Sequence, residues 1–250
     1  MKPLAVNISD LTFSYPEQPS FISNLNLKIA EGERFGLFGP NGSGKTTLIN
    51  LMTGLLPFQV GSITLLENEI KRHDKSINKL FGYVPQDLSF YQELSPVENL
   101  EFFGAWYGLH RNEIKIRTKE LFGLLGLTEV RNMSMQKLSG GMKRRVNLAI
   151  GVMHNPKILF MDEPTVGVDV QTKFVIINYL KELNKNGTTL IYTSHQLNEA
   201  EGLCEKIALI DEGRIIAHDD LNALLIQYGQ ESLEDLFLKL TGKSTRVHDV

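Results

Sequence analysis

A glycine-rich octapeptide constrains the fold of this 250-residue chain more than any other feature. An apolar run, Phe35–Phe38, precedes it, and residues that can begin a helix, Thr47–Met52, follow it. The pattern G-x-x-x-x-G-K-[ST] between a strand and a helix is typical of loops whose backbone N–H groups surround phosphate oxygens. The octapeptide consists of Gly39, Pro40, Asn41, Gly42, Ser43, Gly44, Lys45 and Thr46. The sequence therefore predicts a phosphate-binding loop that joins a buried strand to a helix.

The loop also predicts how a nucleotide is held. Glycines let the backbone curl around the phosphates, and the N-terminus of the following helix adds a partial positive charge. We expect Lys45 to reach the β- and γ-phosphates and the hydroxyl of Thr46 to bind Mg²⁺. Thr47, in the first turn of the helix, completes the segment predicted to bind ATP. The alternative is a glycine-rich turn without a ligand, which the strand–loop–helix context disfavours.

Composition limits the other classes of function. With 42% hydrophobic and 22% charged residues, the chain can bury a sizeable core. No low-complexity segment, linker or repeat divides it, which favours a single domain. The formal net charge of -3 gives no reason to expect nucleic acid as a partner. We expect the basic run Lys143–Arg145 to form a solvated or interface surface, and the single Cys204 fits a reducing compartment.

Strand-like and helix-like segments alternate along the chain. Residues 4–38 resemble short strands, and residues 92–153 have the long-spaced apolar pattern of helices. Because strands alternate with helices after that, we expect an α/β fold with a parallel sheet and crossover helices. The further predicted elements are strands at Ile158–Met161, Thr188–Tyr192 and Ile207–Ile210, a helix at Gln171–Leu183, a hairpin over Lys206–Ala217 and an amphipathic helix at Leu233–Leu240.

Two adjacent acids end an apolar strand. Asp162 and Glu163 follow Ile158–Met161, and charge next to a core is costly to desolvate. In enzymes with a phosphate loop an acid at this point holds Mg²⁺, which suits Asp162, and Glu163 can orient or deprotonate the attacking water. A solvated strand end without a function is the alternative. The nearby phosphate loop favours the functional interpretation.

Three further polar residues lie just beyond strand-like runs. Gln86 follows Phe81–Val84, Asp169 lies six residues past Glu163, and His195 follows Leu190–Tyr192. Ligands of open parallel sheets bind outside the carboxyl ends of the strands, so these residues can converge on one nucleotide. A lone histidine is more often structural than catalytic, but its position at a strand end favours a role in the site.

The run Leu138-Ser139-Gly140-Gly141-Met142 resembles the LSGGQ signature of the ATP-binding-cassette (ABC) ATPases. Apolar residues at helical spacing follow it, so that Ser139 is placed to cap a helix and the two glycines to leave its first amides accessible. The resemblance covers essentially the whole chain. Tyr15 matches the aromatic residue that stacks on adenine, Gly39–Thr46 the Walker A loop, Gln86 the Q-loop glutamine, Ile158–Glu163 the Walker B strand, Val166–Asp169 the D-loop and His195 the switch histidine.

The resemblance implies a head-to-tail dimer with ATP between the Walker A loop of one subunit and Ser139–Gly141 of the other. Glu163 would polarise the water, His195 would contact the γ-phosphate, and Lys45 would stabilise developing charge. Gln86 and Asp162 would join Thr46 around Mg²⁺. Both half-sites look complete, so the resemblance implies a symmetric homodimer with two active sites.

Met142, in place of the family's usual glutamine, resembles the exporter branch of the family, as do Tyr91–Gly108 and Leu233–Gly242. The resemblance implies a peripheral ATPase at the cytoplasmic face of the cell membrane, docked on a separate membrane permease. No apolar stretch reaches the ~18 residues of a membrane-spanning helix. A soluble ABC protein acting on DNA, ribosomes or cluster assembly is the alternative, disfavoured because no long coiled coil or second cassette is present.

The predicted organisation is a single ABC ATPase domain with three parts. Residues 1–90 and 156–225 are expected to form a RecA-like core with a β subdomain, residues 91–155 a helical signature subdomain, and residues 226–250 a C-terminal helix and tail. Six aromatic side chains of the helical part are expected to be mostly core, although some could line a docking groove for the permease. They are Phe90, Tyr91, Phe102, Phe103, Trp106 and Tyr107.

Overall fold

The computed structural model describes residues 2–70 and 76–242, and an antiparallel sheet forms its N-terminal part. The order of its strands is β2-β1-β4-β5. The strands are β1 (Leu4–Tyr15), β2 (Gln18–Ala30), β4 (Val60–Leu65) and β5 (Asn68–Glu69). The expectation of short strands was wrong here, because β1 and β2 run for 12 and 13 residues. Bulges interrupt their pairing, and Asp10 and Asn24 adopt positive φ angles. Each strand therefore continues past polar residues at which a shorter strand would end.

A second, six-stranded sheet has the order β10-β9-β3-β8-β7-β6. Its strands are β3 (Arg34–Phe38), β6 (Phe81–Val84), β7 (Ile158–Asp162), β8 (Thr189–Ser194), β9 (Lys206–Asp211) and β10 (Arg214–Asp220). The pairs from β6 to β9 are parallel, and β10 pairs antiparallel with β9 as the predicted hairpin. The predicted α/β fold, with its additional antiparallel β part, is therefore confirmed.

Helices follow the strands as the sequence predicted. They are α1 (Lys45–Met52), α2 (Pro96–Trp106), α3 (Arg111–Leu124), α4 (Gly140–Gly151), α5 (Val170–Lys185), α6 (Ala200–Leu203), α7 (Leu221–Tyr228) and α8 (Leu233–Thr241). Short 3-10 helices occupy Ser76–Lys79, Thr128–Val130, Met135–Lys137 and Leu197–Glu199. Among the residues that the structure describes, no helix combines the length and apolarity needed to cross a membrane.

The six-stranded sheet separates two hydrophobic cores. In β8, Ile191 faces the core shared with the antiparallel sheet and α1, whereas Leu190 and Tyr192 face the core shared with the helices. This alternation follows from the period of two residues along a strand. With cores on both faces, strands β7 and β8 are buried along their whole length, which explains the apolar runs Ile158–Met161 and Leu190–Tyr192.

Candidate functional site

The ends of four neighbouring parallel strands bring several of the predicted site residues to one edge of the sheet. The register pairs Phe38 with Ser194 and Asp162 with Thr193, so that β3, β7 and β8 end side by side. Strand β6 pairs with β7 and ends one residue before it in the register, with Val84 opposite Met161. Because ligands of such sheets bind beyond the carboxyl ends of the strands, this edge is the candidate site.

The octapeptide forms a tight loop between β3 and α1. At Gly39 a Cβ atom would lie 2.1 Å from the carbonyl oxygen of Ile210, so the neighbouring strand leaves no room for a side chain. Gly42 and Gly44 adopt positive φ angles of 78° and 110°. The N–H of Gly213, in the β9–β10 turn, donates to the carbonyl of Ser43 at 2.8 Å. The loop is therefore held from outside by β9 and the β9–β10 turn.

Lys45, the first residue of α1, folds back over the loop. Its Nζ donates to the carbonyl oxygens of Gly39 at 2.9 Å and Pro40 at 3.0 Å. The Nζ also lies 3.6 Å from Oε1 of Glu163. Burial lowers the pKa of Lys45, while the carboxylates of Glu163 and Asp162 counteract that shift. The ammonium group therefore lies where the loop meets the end of β7.

Thr193 holds both acids at the end of β7. Its hydroxyl donates to Oδ1 of Asp162 at 2.6 Å and accepts from the N–H of Glu163 at 3.1 Å. The same N–H lies 3.2 Å from the Thr193 carbonyl oxygen. Sequence reasoning missed this threonine, because only the register of β7 against β8 places it beside the acids.

Glu163 lies between a lysine and a histidine. It is only 5% exposed, and its Oε2 accepts from Nδ1 of His195 at 2.9 Å. Its Oε1 faces Lys45 on the other side. A carboxylate that accepts from Nδ1 fixes the proton on that nitrogen and leaves Nε2 of the neutral ring without one. The structure thus places three of the predicted site residues, Lys45, Glu163 and His195, next to one another.

Tyr15 lies next to the first turn of α1. Its hydroxyl is 2.9 Å from Oγ1 of Thr47, and its ring packs edge-on against Phe13 and at a tilt against Phe21. The side chain is half-buried, so one part of the ring remains accessible beside the phosphate loop. An aromatic surface at this position can stack on a nucleotide base.

Gln86 lies two residues beyond β6 with an exposed side chain. Its carbonyl oxygen accepts from Nη1 of Arg144 at 2.6 Å. Arg145 likewise donates to the carbonyl oxygen of Leu125 at 2.8 Å. Both arginines are half-buried and bind the chain's own backbone, where we expected a solvated or interface surface. Arg144 therefore tethers the segment of Gln86 to helix α4, a role that no sequence signal indicated.

The predicted signature residues begin α4. Ser139 is the N-cap, and its hydroxyl accepts from the N–H of Met142 at 3.2 Å, which confirms the predicted cap. Ser139 and Gly140 are exposed, whereas Gly141 is buried. A Cβ atom on Gly141 would lie 2.4 Å from Oγ1 of Thr172. Glycine therefore permits the start of α4 to lie directly on the start of α5.

The structure does not bring Ser139–Gly141 to the phosphate loop of the same chain. Within residues 2–70 and 76–242, the hydrogen bonds of these two segments join neither to the other. Asp169 is also engaged locally, as the N-cap of α5 that accepts from the N–H of Thr172 at 2.9 Å. Hydrogen bonds from Thr172 hold the pKa of Asp169 below its usual value.

Three of the aromatic side chains expected in the core are exposed. They are Tyr91, Phe102 and Trp106, and Trp106 is 75% exposed. Phe90, Phe103 and Tyr107 do pack against the core. The rings of Tyr91 and Phe102 contact each other edge-on at a centroid distance of 4.8 Å. Helix α2 thus carries an apolar surface on the outside of the molecule.

The loop fits a bound phosphate chain. Oγ of Ser43 is buried and has no hydrogen-bond partner among the described residues. Buried hydroxyls are normally paired, so this atom points to a ligand inside the loop. Thr46, Gln86 and Asp162 offer hydroxyl, amide and carboxylate oxygens, the hard donors that Mg²⁺ prefers.

Comparison with known proteins gives consistent results. The family model described as ABC transporter matches residues 22–166. The linearmycin resistance ATP-binding protein LnrL of Bacillus subtilis is 40% identical over 217 residues, which is 87% of this chain and 70% of the relative. The Nod factor export ATP-binding protein I of a Rhizobium species is 33% identical over 228 residues, covering 91% and 75% of the two chains.

Solved structures resemble the chain over nearly its whole length. The ATP-binding subunit of an ABC transporter superposes with a TM-score of 0.87 at 26% identity, covering 95% of this chain and 99% of that one. A dimeric ATP-binding cassette in a post-hydrolysis state, bound to ADP and phosphate, gives a TM-score of 0.79 at 28% identity. That match covers 86% of this chain and 98% of the other.

Proposed function

The chain belongs to the ABC transporter family, and on this basis we propose that it hydrolyses ATP to drive export through a separate membrane-spanning subunit. The observation that carries the proposal is the position of Glu163. Its buried carboxylate lies between Lys45, at the phosphate loop, and His195, at the end of β8. A base at this point can accept a proton from water next to a phosphate chain.

The geometry supports an in-line attack of water on the γ-phosphate. Glu163 takes the proton of the water through its carboxylate as the new P–O bond forms, and the bond to ADP breaks. The ammonium group of Lys45 and the loop amides stabilise the charge that develops on the phosphate oxygens. His195, which donates through Nδ1 to Glu163, fixes the direction of that carboxylate.

Thr46, Gln86 and Asp162 are proposed to hold Mg²⁺. The bound ion would neutralise charge on the β- and γ-phosphate oxygens. On the protein side, the hydroxyl of Thr193 directs the Asp162 carboxylate by its 2.6 Å hydrogen bond. Asp162 is 1% exposed, so the protein excludes bulk water from this carboxylate. The remaining residues of the predicted loop, from Gly39 to Gly44, would offer their backbone to the phosphates.

A second copy of the chain is proposed to complete each ATP site. Ser139 and Gly140 are exposed at the N-terminus of α4 and, within the described part of the chain, make no hydrogen bond to their own phosphate loop. Helix N-termini attract anions, so this surface suits the phosphates bound by another subunit. The dimeric cassette that this chain resembles is bound to ADP and phosphate, which supports the same arrangement here.

The membrane-spanning partner is proposed to dock on α2. Large exposed apolar side chains are rarely grouped on a surface that contacts only water. Tyr91, Phe102 and Trp106 form such a group, next to the segment of Gln86. The contact would hold the chain at the cytoplasmic face of the membrane. In this proposal the chain is a single ABC ATPase domain, and residues 91–155 form its helical signature subdomain. Docking of the partner on this subdomain would then affect the position of Gln86 through Arg144.

The names of the relatives favour a function in export over the function of a soluble ABC protein. One is named for linearmycin resistance and another for Nod factor export, and both are ATP-binding proteins. These names favour a transport subunit over an ABC protein acting on DNA, ribosomes or cluster assembly.

The proposal is tested by purifying the tagged chain from its host membranes in mild detergent and measuring ATP hydrolysis of the complex. We expect a multi-spanning membrane protein in stoichiometric amount. Trp106→Ala should reduce its recovery, whereas Ile226→Ala, which changes an exposed apolar residue on α7, should not. Recovery of ribosomes, DNA or soluble partners alone would contradict the export function.

A further inference from the structure

A buried carboxylate next to the candidate site, Glu199, has no role in the mechanism above. It lies in the 3-10 helix Leu197–Glu199 and is 6% exposed. Its Oε2 accepts from the hydroxyl of Tyr192 at 2.7 Å, and its Oε1 from Nζ of Lys173 at 2.8 Å. Oγ1 of Thr165 lies 3.0 Å from Oε1.

The donors come from the three segments that carry the proposed machinery. Thr165 follows Glu163 by two residues, and Tyr192, in β8, precedes His195 by three. Lys173 lies in the first turn of α5, the helix capped by Asp169. One carboxylate therefore joins the loop after β7, the end of β8 and the start of α5.

The charge of Glu199 is fixed by its surroundings. Burial alone raises the pKa of this carboxyl, but the hydrogen bonds from Lys173 and Tyr192 and the positive charge of Lys173 outweigh it, and the pKa lies below its ordinary value. Burial and the charge of Glu199 also raise the pKa of the Tyr192 phenol, which keeps it a proton donor. A buried ion held by several donors resists displacement, because moving one donor leaves the charge unsatisfied.

We propose that Glu199 is a positioning residue for ATP hydrolysis, which holds the loop of Glu163 and the strand end of His195 in register so that the two side chains keep their 2.9 Å contact. The inference rests on the proposed function of Glu163. Glu199 touches neither the phosphate loop nor Tyr15 through any hydrogen bond in the described part of the chain. Its loss should therefore slow the chemical step without weakening nucleotide binding.

The test measures kcat, the KM for ATP and the dissociation constant of a fluorescent ATP analogue for the full chain. The variants are Glu199→Gln, Lys173→Met and Tyr192→Phe. Since a misplacement of about 1 Å can cost a hundredfold in rate, we expect kcat to fall about tenfold to a hundredfold in Glu199→Gln and several-fold in the other two. The dissociation constant and KM should stay within about twofold of the wild type.

Control variants on α5, the helix that contains Lys173, separate an effect of positioning from a general effect of changed charge. Glu182 and Lys185 form an exposed pair at 2.6 Å, and Glu182→Gln and Lys185→Met should leave kcat unchanged. All rates are divided by the fraction of protein that binds nucleotide, which removes losses from misfolding. If Glu199→Gln does not fold, Lys173→Met decides the test, because its side chain is partly exposed and its removal is tolerated more easily.

Coupling gives a second readout, which tests whether Glu199 and Lys173 act on kcat through one network. In the double variant Glu199→Gln/Lys173→Met, the loss of kcat should be smaller than the product of the two single losses, because both changes break one network. Wild-type kcat in the variants, or equal losses in kcat and ATP affinity, would overturn the inference. Full turnover in Glu163→Gln would instead refute the proposed function.

Discussion

At the scale of single residues, Glu163 has a backbone conformation that few non-glycine residues adopt. Its φ of 48° lies in the left-handed region, which costs about 1–2 kcal/mol. The hydroxyl and carbonyl oxygen of Thr193 hold its N–H and offset this cost. The turn directs the carboxylate back toward Lys45 and His195 rather than along the strand direction. Strain of this kind is often found at functional sites.

Tyr15 should contribute to adenine binding. Replacing it in Tyr15→Ala removes the ring that lies beside Thr47, and we expect the dissociation constant of ATP to rise about tenfold, since stacking on a base is worth about 1–3 kcal/mol. Tyr15→Phe keeps the ring and loses only the 2.9 Å hydrogen bond, so it should bind ATP nearly as well as the wild type. Titration with a fluorescent ATP analogue measures both. Equal affinities in all three proteins would remove Tyr15 from the site.

Glu199 should also make the free energy of unfolding depend on pH. Because its folded pKa lies below the ordinary value, the carboxylate stabilises the fold above the unfolded pKa of about 4.5, and this contribution is lost as pH falls through the folded pKa. Glu199→Gln lacks the contribution at every pH. The difference in unfolding free energy between wild type and Glu199→Gln, from denaturant titrations, should therefore shrink between pH 6 and pH 3.5. A difference that stays constant would contradict this account.

Residue types and spacing were sufficient to identify most of the residues that the structure gathers at the candidate site. Lys45, Asp162, Glu163 and His195 were identified because each lies in a motif or at a strand end, and the structure gathers them at one edge. Thr193, Arg144 and Glu199 were not identified. Their roles depend on which strands are neighbours and on packing between distant segments, which a single sequence does not reveal.

At the scale of secondary-structure elements, the start of α4 lies on the start of α5. Gly141→Ala would place a methyl group 2.4 Å from Oγ1 of Thr172, whose hydroxyl is already bonded to Asp169. Overpacking of this kind typically costs about 1–3 kcal/mol, so we expect a loss of that size in unfolding free energy. Gly140→Ala is the matched control, because among the described residues no atom outside its own helix backbone and its two chain neighbours lies within 4 Å of its Cβ position.

Denaturant unfolding of both glycine variants measures the difference. Gly140→Ala should be within about 0.5 kcal/mol of the wild type, or slightly more stable, because alanine favours a helix. If Gly141→Ala unfolds with the same free energy as Gly140→Ala, the close contact between the two helices does not constrain this position.

Element types were predictable from hydrophobic periodicity, whereas strand lengths in the antiparallel sheet were not. Helices α5 and α8 lie within a few residues of their predicted bounds because their apolar faces and caps are distinct. Strands β1 and β2 contain bulges at polar residues such as Asp10 and Asn24, which resemble turns in sequence. Hydrogen bonds between β1 and β2 continue on both sides of these turn-like residues and keep each strand intact. Only the structure shows this pairing.

At the scale of the whole molecule, a dimer should form around ATP. In a Glu163→Gln background, Ser139→Asp keeps a good helix cap but places a negative charge opposite the partner's phosphates. We expect dimerisation with ATP to weaken at least about tenfold. Ser139→Asn, which caps equally well without charge, should still dimerise. Size-exclusion chromatography with light scattering measures the dimer, and equal dimerisation of the two variants would place Ser139 outside the interface.

The most direct test of the account is the ATP turnover of Glu163→Gln. The amide cannot accept the proton of the attacking water, so we expect kcat to fall at least about a hundredfold. The affinity for ATP should be unchanged within about twofold, because the phosphate loop and Tyr15 remain intact. Glu182→Gln, an exposed substitution of the same kind, should turn over normally. Wild-type turnover in Glu163→Gln would contradict the assignment of Glu163 as the base and with it the central claim.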